Sequence, residues 1–344
     1  MKQRNYAIDV IKVLFAIIIA LGHYGLAFGD SGFSGLIANL FFVISGFFLV
    51  KSSMSSKYKD TWDYTISRLK RIYPYYFWAF FIMALSSCIQ NQESFIESIK
   101  TFGHAIPEML LLQNVGIFDG GINYPLWFLC ECIIGSHILF ALVKWNCNIT
   151  LNAICPMIFI CGTAYFVNND VDVWLGTFGG CLALPLLRAF VCLALGMAIY
   201  TPIIKILEKI QKYTTRKANI LMGIYGIVCL AICYIDRKDK YISLLSFCLL
   251  MLFLLYPGGW LKSIFNHKIF RHCEKLSLGI FLNHAVIISW LQYFNVECTH
   301  LNAIILLVFV SVYSIVMFKM TDFILKIIKK RIQEGISESE NRAR

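Results

Sequence analysis

The chain has 344 residues, of which 58% are hydrophobic and only 15% charged, and its mean hydropathy is +0.68. These values exclude an ordinary soluble domain and predict a polytopic membrane protein. The net charge of +11 could suggest a nucleic-acid-binding protein. The Lys and Arg residues, however, are spread over alternate loops instead of one face, so we expect no nucleic-acid partner.

The thirteen cysteines lie mostly inside apolar segments, where a free thiol behaves as a small hydrophobic group. The sequence contains no CxxC pair, so it predicts neither a metal site nor a redox site. The first apolar run is too long for a cleaved signal peptide, and we expect it to be a retained anchor.

Hydropathy predicts an all-α fold with about ten transmembrane helices. They are expected at about 7–28, 34–50, 73–89, 124–144, 151–167, 182–200, 218–235, 241–256, 274–295 and 301–325. With the N-terminus inside, 25 of the 31 Lys and Arg residues fall in cytoplasmic segments, so both termini are predicted to be cytoplasmic.

The predicted domain organisation is a single transmembrane domain over residues 1–330 and a polar cytoplasmic tail over 331–344. The largest external loop, at 90–123, is expected to hold an interfacial helix around Phe95–Leu112.

The first apolar segment carries three ionisable residues, which are costly at membrane depth and therefore raise a functional hypothesis. Lys12 and His23 are eleven residues apart, which places them within about 20° of one helix face and about 16 Å apart along the axis. Asp9 lies within about 40° of His23 by the same arithmetic. Asp9 and Lys12 fit equally well a structural pair in which Lys12 reaches the interface. His23 lies too far along the apolar run for that explanation, which favours a functional role.

Two further motifs have competing explanations. The Ser45-Gly46 pair in an aromatic run favours close helix packing, because small residues let helices approach. Arg68 and Arg71, spaced to face the same way on a helical turn, precede a span that is expected to start at Pro74. Their guanidinium groups suit a phosphate-bearing ligand, but anchoring to anionic lipid explains them equally well.

Three more ionisable residues lie in predicted spans. Glu131 in the fourth span requires a partner, for which Lys12, His23 and Arg188 are the candidates. His284 adds a second intramembrane imidazole in the ninth span.

Together, these motifs resemble the acyltransferase-3 family of integral membrane O-acyltransferases over most of the chain and in the same order. The motifs are Asp9-x-x-Lys12 followed after ten residues by His23, Phe41-Phe42-x-x-Ser45-Gly46-Phe47, Arg68-x-x-Arg71 with Ile72-Tyr73-Pro74, Leu126-Trp127-Phe128-Leu129, and Gly279-Ile280-Phe281-Leu282-x-His284. Two departures are a lysine at position 12, where the family more often has arginine, and the spacing of Glu131 from the tryptophan.

The resemblance implies a multi-pass protein of a bacterial cell membrane that uses cytoplasmic acyl-CoA, most simply acetyl-CoA, with no bound cofactor. The acceptor would be a hydroxyl of a surface polysaccharide or a related molecule. Carried over to this sequence, the functional motif positions are Lys12, His23, Arg68 and Arg71, with His23 as the catalytic group; Glu131 inherits no role from the family. Together with the residues singled out above, we expect catalysis by His23, Lys12 and Asp9; acyl-CoA binding by Arg68, Arg71 and Tyr73; and an acceptor or oxyanion site at Arg188, Glu131, Trp127 and His284.

The physical interpretation places the CoA phosphates at Arg68 and Arg71 and the thioester deeper, at His23, which acts as a general base. The sequence is equally compatible with a second mechanism, in which His23 itself is acylated. A different class of function uses the same residues without chemistry: a transporter or flippase of a glycan or lipid, with His23, His284 and Glu131 as a proton relay.

Overall fold

The fold comes from a computed structural model, which describes residues 6–26, 32–116, 120–169, 176–211, 215–235, 241–256, 259–265 and 267–343. Helices dominate these residues, as the long apolar runs predict. They are α1 (Tyr6–Tyr24), α2 (Gly32–Ser53), α3 (Thr61–Gln90), α4 (Phe95–His104), α5 (Ile106–Met109), α6 (Trp127–Trp145), α7 (Cys147–Ile149), α8 (Cys155–Asn169), α9 (Leu184–Ala198), α10 (Tyr200–Ile210), α11 (Thr215–Ile235), α12 (Tyr241–Leu255), α13 (Trp260–Phe265), α14 (Cys273–Tyr293) and α15 (His300–Ala343).

Three short turns of other helix types and one small hairpin complete the described structure. They are 3₁₀ turns at Tyr124–Leu126 and Lys268–His272, a π turn at Thr150–Ile154, and antiparallel strands β1 (Thr177–Phe178) and β2 (Leu182–Ala183).

In the described part of the chain, eight helical stretches are long and apolar enough to cross a membrane. They are Tyr6–Tyr24, Gly35–Ser53, Thr61–Gln90, Tyr124–Trp145, Cys147–Asn169, Leu184–Ile210, Lys268–Tyr293 and His300–Glu334. The remaining two predicted spans coincide with α11 and α12. Over their described residues, these two helices are not both long enough and apolar enough to be counted among the eight. The all-α membrane architecture is confirmed, whereas ten spans and cytoplasmic termini stay predictions.

Helix α3 begins earlier than predicted. Asp60 caps it by accepting a 2.8 Å hydrogen bond from the Asp63 backbone N–H, and the helix then continues through Pro74 to Gln90. The expectation that Pro74 starts the span was therefore wrong. Arg68 and Arg71 lie inside the helix, one to two turns before the proline.

The bundle is held by two close helix pairs, α1 with α14 and α2 with α9. In the second pair, an added Cβ on Gly46 would lie 2.1 Å from the Leu193 carbonyl oxygen, and one on Gly196 would lie 2.0 Å from the Val43 carbonyl oxygen. Only glycine permits this approach of the two backbones, so the packing explanation of the Ser45-Gly46 pair is confirmed.

The loop at 90–123, which the charge pattern predicts to be external, contains the predicted helix, but this helix is broken in two. The Ser94 side chain and Glu97 form a capping box at the start of α4. The chain breaks at Ala105, and Pro107 then lies in the first turn of α5, because proline lacks the N–H that would continue α4. The loop then turns inward. We call residues 106–116 and 120–126 the inserted segment, because several of its side chains are completely buried. These are Glu108, Gln113, Asn123 and Leu126.

At the other end of the chain, α15 continues as a helix through the predicted polar tail to Ala343. Its N-terminal part packs on α14 and α3. The inner ends of α1, α3, α14 and α15 therefore meet on the side that the charge pattern predicts to be cytoplasmic.

Candidate active site

A cavity of about 930 Å³ opens at the inner end of the bundle. Eight cationic and two acidic side chains line the cavity, which makes its mouth basic, and its deeper wall is apolar. The cationic residues are Lys12, Arg68, Lys70, Arg71, Lys275, Lys326, Lys329 and Lys330; the acidic residues are Glu274 and Asp322; and the apolar wall includes Phe41, Phe128, Leu129, Leu278 and Phe281. A site of this kind suits a ligand with several negative charges at one end and an uncharged arm at the other.

A second cavity of about 420 Å³ adjoins the first and shares part of its wall, including Lys12, Arg68 and Arg71. Asp9 lines this second cavity. The structure thus brings together four of the predicted site residues from α1 and α3 at the inner end of the bundle.

The two arginines differ in their environment. Arg68 is half-buried, and its Nη1 donates hydrogen bonds of 2.6 Å to the Tyr64 hydroxyl and 3.1 Å to Ser136 Oγ. Arg71 is exposed and lies 3.9 Å from the Glu274 carboxylate. Arg68 is therefore held by α3 and α6 as part of the wall, whereas Arg71 can reach a ligand at the mouth.

Tyr73 is not brought together with these arginines. Its hydroxyl donates a 3.1 Å hydrogen bond to the Met109 carbonyl oxygen in α5, and it is not among the described residues that line either cavity. We therefore leave Tyr73 out of the donor site.

His23 and His284 form a stacked pair from α1 and α14. Their ring centroids are 5.3 Å apart with an interplanar angle of 17°, and Tyr124 contacts the His23 ring edge-on at 5.0 Å. His284 Nδ1 lies 3.0 Å from the Ile280 carbonyl oxygen, which can only accept, so Nδ1 carries the proton. The buried Nε2 of His284 then presents a lone pair, and it has no hydrogen-bond partner among the described residues.

Over the residues that the structure describes, the inner cavity ends short of His23. Within the described chain, the lining of the inner cavity reaches Phe128 and Phe281 but includes neither histidine. The centre of the Phe281 ring lies 5.5 Å from that of Phe128 and 6.2 Å from that of His284. One aromatic layer thus separates the end of the cavity from the histidine pair.

Glu131 and Arg188 are a buried pair from α6 and α9. Arg188 Nη2 lies 3.6 Å from Glu131 Oε2, and both side chains are at most 4% exposed. The guanidinium also lies over the Trp127 ring, 4.6 Å from its centre. Of the three candidate partners for Glu131, Arg188 is confirmed.

The inserted segment supplies polar residues that the sequence interpretation missed. Glu108 accepts hydrogen bonds from the backbone N–H groups of Ile122 (2.7 Å) and Asn123 (3.0 Å), directly before Tyr124. Burial raises the pKa of Glu108 to about 7, against the lowering effect of these two bonds. Asn123 in turn donates to carbonyl oxygens of Ala79 and Leu282, which ties the segment to α3 and α14. Glu108 looked like an ordinary acidic loop residue, and only Pro107 beside it signalled a break.

One of the three comparisons with known proteins identifies a family. The model of the acyltransferase-3 family, described as an acyltransferase domain, matches residues 5–319. Searches of curated proteins and of solved structures give no significant match. Because the family match covers nearly the whole chain and the helices are those of a multi-pass membrane protein, this chain belongs to the acyltransferase-3 family and is a membrane acyltransferase.

Proposed function

We propose that this protein transfers an acyl group, most simply acetyl, from cytoplasmic acyl-CoA to a hydroxyl of a surface glycan or a related acceptor in a bacterial cell membrane. The observation that carries the proposal is the inner cavity, with a basic mouth and an apolar end that is one aromatic ring away from the histidine pair. The CoA donor has the matching form: its phosphates lie at one end and its uncharged pantetheine arm ends in the thioester.

In this proposal, Arg71 binds donor phosphate at the mouth, and Arg68 holds the wall that the pantetheine arm follows. Lys12 lies deeper on α1, between this site and His23, and Asp9 lies beside it in the adjoining cavity. The thioester reaches His23 when the Phe281 ring turns aside, which joins the two parts of the site.

His23 then acts as general base. It takes the proton of the acceptor hydroxyl as the oxygen bonds to the thioester carbon, and the C–S bond breaks when the tetrahedral intermediate collapses. The departing CoA sulfur receives the proton back from the imidazolium ring. The lone pair of His284 Nε2 holds the acceptor by a hydrogen bond, and Arg188 or Lys12 stabilises the oxyanion.

Purified protein in nanodiscs, assayed with radiolabelled acetyl-CoA, tests the proposal. The His23→Ala variant should lose transfer by a factor of about 10² to 10⁴ and keep its affinity for CoA, because the base is lost and the donor site is not. The Arg71→Ala variant should bind CoA about tenfold more weakly, with a reduced salt dependence.

Two exposed residues that are in the lining of neither cavity serve as matched controls, His104→Ala for the histidine and Arg271→Ala for the arginine, and both should behave as wild type. A transporter or flippase would bind no CoA at the inner cavity and would transfer no acyl group, and either result for the wild-type protein would overturn the proposal.

A further inference from the structure

The inner end of α15 presents three lysines to the cavity. Lys326, Lys329 and Lys330 follow Phe318 and Asp322 at spacings of three and four residues, so they share one helix face, and all five line the cavity. The three lysine side chains are exposed. Lys330 lies 3.6 Å from Glu334, whereas no ion pair between described residues involves Lys326 or Lys329.

The position of these lysines along the bundle axis is fixed by contacts of Phe318 and Asp322, which precede them on α15. Phe318 stacks on the Tyr75 ring at 4.1 Å between centroids, and Asp322 accepts a hydrogen bond from the Tyr75 hydroxyl. Asp322 also pairs with Lys275 of α14 at 2.7 Å. Tyr75 of α3 is therefore level with the Phe318–Asp322 turn.

From this level, α3 and α15 can be followed inward together. Arg71 is four residues from Tyr75 and Lys326 is four residues from Asp322, both in the direction of the cytoplasmic side. Each therefore lies about 6 Å closer to that side than its neighbour. Lys329 and Lys330 lie about another 5 Å further in that direction. The cavity therefore has an apolar end, then a level with Arg71 and Lys326, then an outermost level with Lys329 and Lys330.

We propose that Lys329 and Lys330 bind the 3′-phosphate of CoA while Arg71 and Lys326 face its diphosphate, which makes the protein selective for free acyl-CoA over donors that lack this phosphate. The inference rests on the proposed function. From the thioester outward, CoA carries an uncharged arm, a diphosphate and a 3′-phosphorylated ribose, which is the order of the three levels. A phosphate monoester carries nearly two negative charges at neutral pH, so it pairs best with the two outermost ammonium groups.

Lysines at an inner membrane surface also attract anionic lipid, which would explain them without any donor specificity. The ratio of the affinities for CoA and dephospho-CoA separates the two explanations, because the two ligands differ only in the 3′-phosphate. A lipid-binding role predicts no change in this ratio when the lysines are removed.

The test is a titration of the full-length protein in neutral-lipid nanodiscs with CoA and with dephospho-CoA. The wild type should bind CoA at least about tenfold more tightly. Lys329→Ala/Lys330→Ala should lose about tenfold in CoA affinity and nothing in dephospho-CoA affinity, so that the ratio approaches one. The matched control, Lys319→Ala/Arg331→Ala, removes the same charge from residues of α15 that do not line the cavity, and it should keep the wild-type ratio.

The inference is overturned if the wild type binds both ligands equally, if the lysine variant keeps the ratio, or if the control loses as much. Failure of the proposed function looks different, because the wild type would then bind neither ligand.

Discussion

At the scale of single residues, the Glu131–Arg188 pair places two charged side chains in the interior of the bundle. Both side chains are buried, and their closest charged atoms are 3.6 Å apart. A buried pair of this kind adds little stability, but removing one partner leaves an uncompensated charge in a low-dielectric interior. Removing one partner should therefore lower the free energy of unfolding by much more than replacing both partners with uncharged residues does.

The Arg188→Met variant tests this. It should lower the free energy of unfolding by about 3–5 kcal/mol, because the Glu131 carboxylate remains buried without its cation. The double variant Glu131→Gln/Arg188→Met should recover most of the loss, since neither charge remains. Thermal unfolding in detergent measures both, with the exposed Arg271→Met as control. Equal melting of wild type and single variant would show that the pair does not hold the fold.

The sequence could predict that Glu131 has a cationic or imidazole partner, but not which one. Lys12 and His23 lie in the first predicted span and Arg188 in the sixth, and hydropathy does not give the relative depth or rotation of the helices. The same limit applies to His23 and His284, which the sequence identified as two separate intramembrane imidazoles and the fold stacks together.

At the scale of helices, the α2–α9 crossing depends on Gly46 and Gly196, at which a Cβ would meet backbone atoms of the facing helix. Small residues in a predicted span were sufficient to predict close packing. The start of α3 was not predictable in the same way, because hydropathy marks only the apolar part of the helix and the Asp60 cap lies 14 residues before Pro74, in a polar stretch.

Replacement of Gly46 by alanine should force the two helices apart, because the Leu193 backbone cannot move without shifting α9. We expect a loss of about 1–3 kcal/mol or more in the free energy of unfolding. Gly223→Ala in α11 is the control: no atom lies within 4 Å of its added Cβ, so it should be neutral or slightly stabilising. A Gly46→Ala protein as stable as this control would contradict the packing described here.

The inserted segment predicts a dependence of stability on pH. The pKa of Glu108 is about 7 in the fold, against 4.5 for an ordinary glutamate, so the folded protein binds more protons between these values than the unfolded chain does. Stability should therefore fall as the pH rises through this interval, by on the order of 2 kcal/mol from this residue.

Melting temperatures of wild type and Glu108→Gln at pH 5 and pH 8 measure this effect. At pH 5 the variant should melt at a lower temperature than the wild type, because an amide has only one oxygen and Glu108 uses both of its oxygens to accept the two backbone hydrogen bonds. On going to pH 8, however, the variant should lose less stability than the wild type. A loss in the variant as large as that in the wild type would assign the pH dependence to other groups.

At the scale of the whole molecule, the bundle joins a basic inner cavity to the His23–His284 pair through a single aromatic layer. The sequence predicted the membrane fold and the family, and it singled out Arg68, Arg71, His23 and His284 as candidate site residues. It could not predict the layer itself, because Phe128 and Phe281 are two among 28 phenylalanines and nothing in their spacing shows that they meet. Nor could it predict that the inner half of α15 completes the cavity, since its lysines read only as orientation signals.

The most direct test of the account is to locate the acyl group of a bound donor. An acyl-CoA with a short diazirine-bearing acyl chain, bound to the protein in nanodiscs and irradiated, should label the peptides that carry Phe128, Phe281 and His284, or His23 itself. Excess CoA should abolish this labelling. Labels confined to the lysines and arginines of the cavity mouth, or found only on lipid, would show that the thioester never reaches the histidine pair and would contradict the proposed mechanism.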